Sequence, residues 1–115
     1  MPVRRVMPVI RSEAAQENRE FYGRLGLDEV MDLGWITMYA SPSAPAAQVG
    51  FMTSDRTAPV DPDLSVEVDD VDAVHAAVRE SGAEILHPLQ DEEWGVRRFF
   101  VRDPDGRVVN VLSHR

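Results

Sequence analysis

Two carboxylates, an amide and two guanidinium groups stand on short, mostly apolar runs of this chain. Asp63 and Glu67 lie in Asp63-Leu64-Ser65-Val66-Glu67-Val68, and Asn110 lies in Val108-Val109-Asn110-Val111-Leu112. Arg5 lies in Arg4-Arg5-Val6-Met7, and Arg98 in Val96-Arg97-Arg98-Phe99-Phe100. Residues two apart in a strand share a face, so such groups can be gathered on one side of a sheet. There, Glu67 or Asp63 could serve as a general base while Arg5 or Arg98 holds a developing oxyanion. The same set beside Trp35, Tyr39, Trp94 and Phe100 could instead hold a small aromatic or cationic compound without breaking a bond. Met7 shares the face of Arg5 and joins the candidate lining, although a methionine more often packs than binds.

The three histidines add little to that set. His75 falls on a helix, His87 precedes Pro88 at a strand end, and His114 is next to last in the chain. Only His114 has the strand parity of Asn110, which points it toward the mouth of the same face. With no cysteine, the chain has no disulfide, no thiolate metal site and no cysteine nucleophile.

Composition bounds the rest. The 115 residues suit one domain with a modest core. Twelve basic against 20 acidic side chains give a net charge of −8, which argues against a nucleic-acid partner. No apolar run approaches the roughly 20 residues of a membrane span, and polar Arg11 and Ser12 interrupt any leader-like stretch. A cytoplasmic location and no membrane partner are the expectation.

These residues are positioned by a unit that the chain writes twice: strand, helix, then three strands. In the first copy (about residues 1–54) strands are expected at 5–10, 27–32, 35–40 and 48–53. A helix is expected over 13–25, capped by Ser12, with Ala14, Phe21, Tyr22 and Leu25 inward and Gly26 at its end. A polar, proline-bearing bridge covers 55–62. In the second copy (about 63–115) strands are expected at 63–68, 84–89, 96–102 and 107–113, with a helix opened by Asp70 and closed at Ser81-Gly82. Alternation puts Arg5, Met7 and Val9 on one face, as it does Asp63, Ser65 and Glu67, Trp35, Thr37 and Tyr39, and Val108, Asn110 and Leu112. The fold class is α+β, two paired βαβββ modules whose sheets curl around a cleft with helices outside; an unduplicated α+β sandwich has the same element order.

Three segments carry a resemblance. Phe21-Tyr22-Gly23-Arg24-Leu25-Gly26-Leu27, Val66-Glu67-Val68-Asp69-Asp70-Val71-Asp72-Ala73 and Asp103-Pro104-Asp105-Gly106 occur in the order and at the separations typical of the vicinal oxygen chelate superfamily. That group comprises glyoxalases, extradiol dioxygenases and bleomycin-resistance proteins, and the chain resembles its metal-free, bleomycin-resistance-like branch. Each segment also has a plain structural reading as a helix end, a strand-to-helix junction or a turn.

The resemblance implies four cleft positions that hold a divalent ion in metal-using members. They fall on Arg5 (with Val6 or Met7 as alternatives of register), on Gly50 or Phe51, on Asp63, and on Asn110, where relatives carry a glutamate. An arginine, a residue without a ligating side chain, one carboxylate and one amide do not make a transition-metal site. No metal or other cofactor is therefore expected. The resulting readings are a metal-free protein that binds a small molecule in its cleft, a lyase, isomerase or dioxygenase of the same superfamily, and a dimeric structural or regulatory module. A homodimer is expected in each, since curled sheets with exposed edges invite pairing.

Overall fold

The computed structural model describes residues 2–115; Met1, first residue of the expected first module, lies outside them. Its elements are β1 (Val3–Arg11), α1 (Ala15–Arg24), β2 (Asp28–Asp32), β3 (Ile36–Ala40), β4 (Gln48–Met52), β5 (Leu64–Val68), α2 (Val71–Glu80), β6 (Ile85–Asp91), β7 (Val96–Arg102) and β8 (Val108–His114). The eight strands form one curled mixed sheet in the order β2-β3-β4-β1-β5-β8-β7-β6. This is the α+β architecture expected from the repeated pattern.

The order is symmetric about its middle. β1 runs parallel to β4 and β5 parallel to β8, while β1 and β5 join antiparallel and make the two halves one sheet. Met7 stands opposite Ser65 across that joint, and Ser65 stands opposite Asn110 across the next. Cross-strand partners share a face, so the middle strands line up their inward side chains as a floor.

On the second half, alternation gives a clean two-sided sheet. Phe99, Val101, Val109 and Val111 face α2 and close a core with Val68, Val71, Val74 and Val78. Val96, Arg98 and Phe100 point the other way, in register with His114, Leu112 and Asn110. Asp70 caps α2 by accepting from the Ala73 N–H at 3.1 Å. In the turn before β8, Asp103 accepts from the Asp105 and Arg107 N–H groups while Gly106 takes a φ of +88°.

The first half departs from expectation at its helix. α1 begins at Ala15, and Ser12 stands outside it, where its hydroxyl accepts from the Ala14 N–H and the Asn18 amide. No residue of α1 is fully buried. Tyr22 alone anchors the helix by its ring, lying 4.8 Å from Phe51 and 6.3 Å from Tyr39. Phe21 and Leu25 are 55% and 64% exposed, so the sheet covers Tyr22 but not these two.

No helix is long and apolar enough to cross a membrane. The core under α2 carries the second half, so Phe99→Ala is expected to cost about 3–5 kcal/mol in chemical denaturation.

Candidate functional site

The concave side of the curled sheet holds a cleft of about 270 Å³. Its walls are apolar: Val30, Met31 and Met38 from the first half, and Val96, Leu112 and the Trp94 ring from the second. Its polar groups are Arg5, Gln48, Ser65, Glu67, Asn110 and, at the mouth, His114. Consecutive residues Val30 and Met31 both reach the cleft because the β2–β3 register shifts between Glu29 and Met31. Such a bulge sets two residues against one and breaks the strict alternation.

The charges in the cleft are paired with each other. The Arg5 guanidinium donates to Glu67 at 2.8 Å and to the Gln48 amide oxygen at 2.9 Å. His114 Nε2 lies 3.7 Å from the same Glu67 oxygen. At the floor, Asn110 is 5% exposed and donates its amide N–H to the Ser65 hydroxyl at 3.1 Å. The Asn110 Oδ1 is buried and meets no donor among the described residues. Buried polar groups are seldom left without a partner, so this atom marks the floor as a place a ligand can complete.

Strand register settles which residues stand at the four floor positions. Met7 of β1 faces Ser65 of β5, which faces Asn110 of β8. On β4 the position is Gly50, and the Met7 methyl fills the space beside it: a Cβ added at residue 50 would lie 2.9 Å from Met7 Cε. A thioether, a bare backbone, a hydroxyl and an amide are thus the donor set, with no carboxylate or imidazole among them. Hard and borderline dications need those groups, so a metal of the kind superfamily members use does not fit here. Among the described residues no cluster of three or more His, Cys, Asp or Glu side chains could hold one.

The structure brings Arg5, Glu67, Trp94 and Asn110 together around the cleft and moves other candidates away from it. Asp63 precedes β5; its carboxylate accepts from the Val108 N–H at 2.9 Å and ties the start of β5 to β8. The wall position on β5 belongs to Ser65 instead. Tyr39 and Thr37 do share a face, but it is the helix side, where Tyr39 packs with Tyr22 and Phe51. Both faces of β3 are covered, so its alternation carried no sign of which side was the cleft side. Trp35 precedes β3 and sets its ring edge-on to Trp94, 6.0 Å away, behind the wall. Met7 belongs to the floor row but is fully buried, packed with Val9, Ile36 and Met52 rather than lining the open cleft. Gln48, Met31 and Met38 were not singled out by the sequence as contacts; Gln48 alone left a trace, as the one polar residue of its strand.

Arg98 and Phe100 point to the concave side but are enclosed in a separate buried cluster. Arg98, 1% exposed, donates to Asp55 at 2.9 and 3.3 Å, to Glu92 at 3.1 Å and to Thr57 at 2.7 Å. Its guanidinium lies 5.1 Å from the centre of the Trp94 ring and 4.7 Å from that of Phe100. His87 stacks on Phe100 and places Nε2 3.0 Å from Glu92, so it is buried rather than at an open strand end. His75 packs edge-on to Phe99 from α2. A buried arginine followed by Phe99 and Phe100 needs carboxylates, and the acidic run Asp91-Glu92-Glu93 was the available signal; Asp55, far off in the bridge, had none.

This cluster fastens the bridge to the second half. Burial alone would push the Asp55 carboxyl up, but the hydrogen bonds and charge of Arg98, with those of Thr57, hold it below its ordinary value of 3.8. The folded value is the lower one, so the stability tied to Asp55 is fully present above about pH 4 and is lost as the pH falls through the folded value. Asp55→Ala is expected to cost roughly 3–5 kcal/mol at neutral pH by leaving Arg98 short of a buried partner. Denaturation curves of the variant should also lose part of the stability decline that the unaltered protein shows below pH 4.

Comparison with known proteins agrees with this geometry. No curated protein sequence matches the chain. Among solved structures it is similar to a glyoxalase/bleomycin resistance protein/dioxygenase superfamily member from Vibrio splendidus 12B01, with 16% identity over 97% of this chain and 99% of that one and a TM-score of 0.68. It is similar to methylmalonyl-CoA epimerase from Mycobacterium tuberculosis, with 16% identity over 98% and 87% and a TM-score of 0.66. The Mn(II)-bound glyoxalase from Novosphingobium aromaticivorans is 22% identical over 96% of this chain but only 38% of its own, with a TM-score of 0.66. At such identities the likeness speaks for the fold. A family model, Glyoxalase/Bleomycin resistance protein/Dioxygenase superfamily, matches residues 5–111, and the chain belongs to that superfamily.

Proposed function

We propose that this chain binds a small, neutral organic molecule in its cleft, without a metal ion and without breaking a bond. The observation that carries the reading is the floor: Met7, Gly50, Ser65 and Asn110 under apolar walls of about 270 Å³. An apolar pocket with a few convergent polar groups is the usual form of a small-molecule site. Neutrality follows from the pairing of Arg5 with Glu67, since a carboxylate already bonded to a guanidinium has little attraction left for a cation. The same bonding weakens the case for catalysis: Glu67 is committed to Arg5, Asp63 to the Val108 N–H, and Arg98 to Asp55 and Glu92.

A panel of neutral aromatic compounds should quench the fluorescence of Trp94 saturably. Leu112→Arg, which blocks the cleft, should abolish the effect, and prior dialysis against a chelator should not. Binding that vanishes with the chelator and returns with added manganese, zinc or nickel would sink the metal-free reading.

A second copy of the chain is the protein partner we propose. Ile10 is exposed beside Phe51 on the helix side of the sheet, Tyr22 stacks on Phe51, and exposed Phe21 lies edge-on to Tyr22 at 5.0 Å. Apolar side chains grouped in this way commonly mark a subunit contact. Light scattering should give the mass of a dimer, and Phe21→Glu should shift it toward the monomer; a monomer at every concentration would refute the pairing.

A further inference from the structure

Arg5 and Glu67 satisfy each other, and besides the Trp94 indole N–H, which meets no acceptor among the described residues, the unpaired polarity of the cleft lies in two neighbouring side chains. Ser65 and Asn110 stand side by side on parallel strands β5 and β8. The Ser65 hydroxyl accepts the Asn110 amide N–H, and no described residue takes its own hydrogen. Asn110 Oδ1 is buried with no donor. The pair therefore offers a ligand the Ser65 hydrogen and an Asn110 Oδ1 lone pair at adjacent points of the cleft floor, with the second Asn110 amide hydrogen beside them.

We propose that Ser65 and Asn110 together read the edge of a lactam or cyclic amide, whose N–H and C=O lie next to each other on one side of a flat ring. The ligand N–H would donate to Asn110 Oδ1, and its carbonyl would accept from the Ser65 hydroxyl. The match survives a half-turn of the Asn110 amide: its NH2 then donates to the ligand carbonyl, and the Ser65 oxygen, donating to Oδ1, accepts the ligand N–H. A carboxylate ligand has no hydrogen for the free acceptor, and a protonated amine has no acceptor for the free hydrogen. The ring would lie between the thioethers of Met31 and Met38 on one side and Val96, Leu112 and Trp94 on the other, which suits a flat, weakly polar body. This inference rests on the reading of the cleft as a ligand site and names the class of ligand.

The test compares 2-quinolone with coumarin, which keeps the shape and the carbonyl but replaces the N–H by a ring oxygen. Calorimetric titration of the intact chain should show 2-quinolone binding roughly tenfold more tightly, the value of one well-made hydrogen bond. Asn110→Leu should bring the two affinities together, and Ser65→Ala should weaken both. In amide-resolved NMR spectra the Asn110 side-chain signal should move with 2-quinolone. Equal affinities in the unaltered protein would overturn the edge reading while leaving the cleft a binding site. Failure of both compounds, along with every other neutral aromatic of the panel, would overturn the ligand site as well. Should Asn110→Leu not fold, the affinity ratio in the unaltered protein decides.

Discussion

The antiparallel joint between β1 and β5 is the contact on which the rest of this molecule depends. Each half alone is a four-stranded sheet with a helix on one face and nothing on the other. Pairing Val3 through Pro8 with Val68 through Leu64 merges the two into one sheet, whose curl turns both open faces toward each other. The same joint sets Met7 against Ser65, so a single register decides both the continuity of the sheet and the composition of the floor. A slip of one residue at this joint would put the floor side chains of one half on the helix side of the other.

A second constraint keeps the joint closed. The bridge between the halves carries Asp55 and Thr57 into contact with Arg98 of β7, where Glu92 and His87 complete the arrangement. Buried charge is costly to remove from water, and it persists here because each of the three guanidinium nitrogens finds an oxygen. The cluster also presses Trp94 into place through its stacked ring, so the cleft wall and the bridge share a support. Its chemistry is turned inward, which is why two side chains suited to catalysis, Arg98 and His87, take no part in the cleft.

The superfamily scaffold and the floor chemistry are separable. The Mn(II)-bound glyoxalase that this chain resembles in fold has a metal, whereas the matching strands here end in a thioether, a bare backbone, a hydroxyl and an amide. At Gly50 the Met7 methyl already fills the space that a side chain would use. A scaffold therefore says less about chemistry than the few atoms that face its hollow.

Hydrophobic alternation and turn residues were enough, in the sequence itself, to determine the repeated βαβββ pattern, the helix cap at Asp70, the turn at Asp103–Gly106 and the parity of β8, while the parity of β7 came from its register with β8. These are local properties, written within a few residues of where they act. Which face of β3 turned inward, the replacement of Asp63 by Ser65 at the floor, the exposure of Phe21 and Leu25, and the enclosure of Arg98 by Asp55 were decided only in three dimensions. Strand β3 is buried on both sides, α1 leaves Phe21 and Leu25 uncovered, and Asp55 meets Arg98 from 43 residues away in the chain. Periodicity reports whether a side chain alternates, but only the packing of distant strands says what it alternates toward.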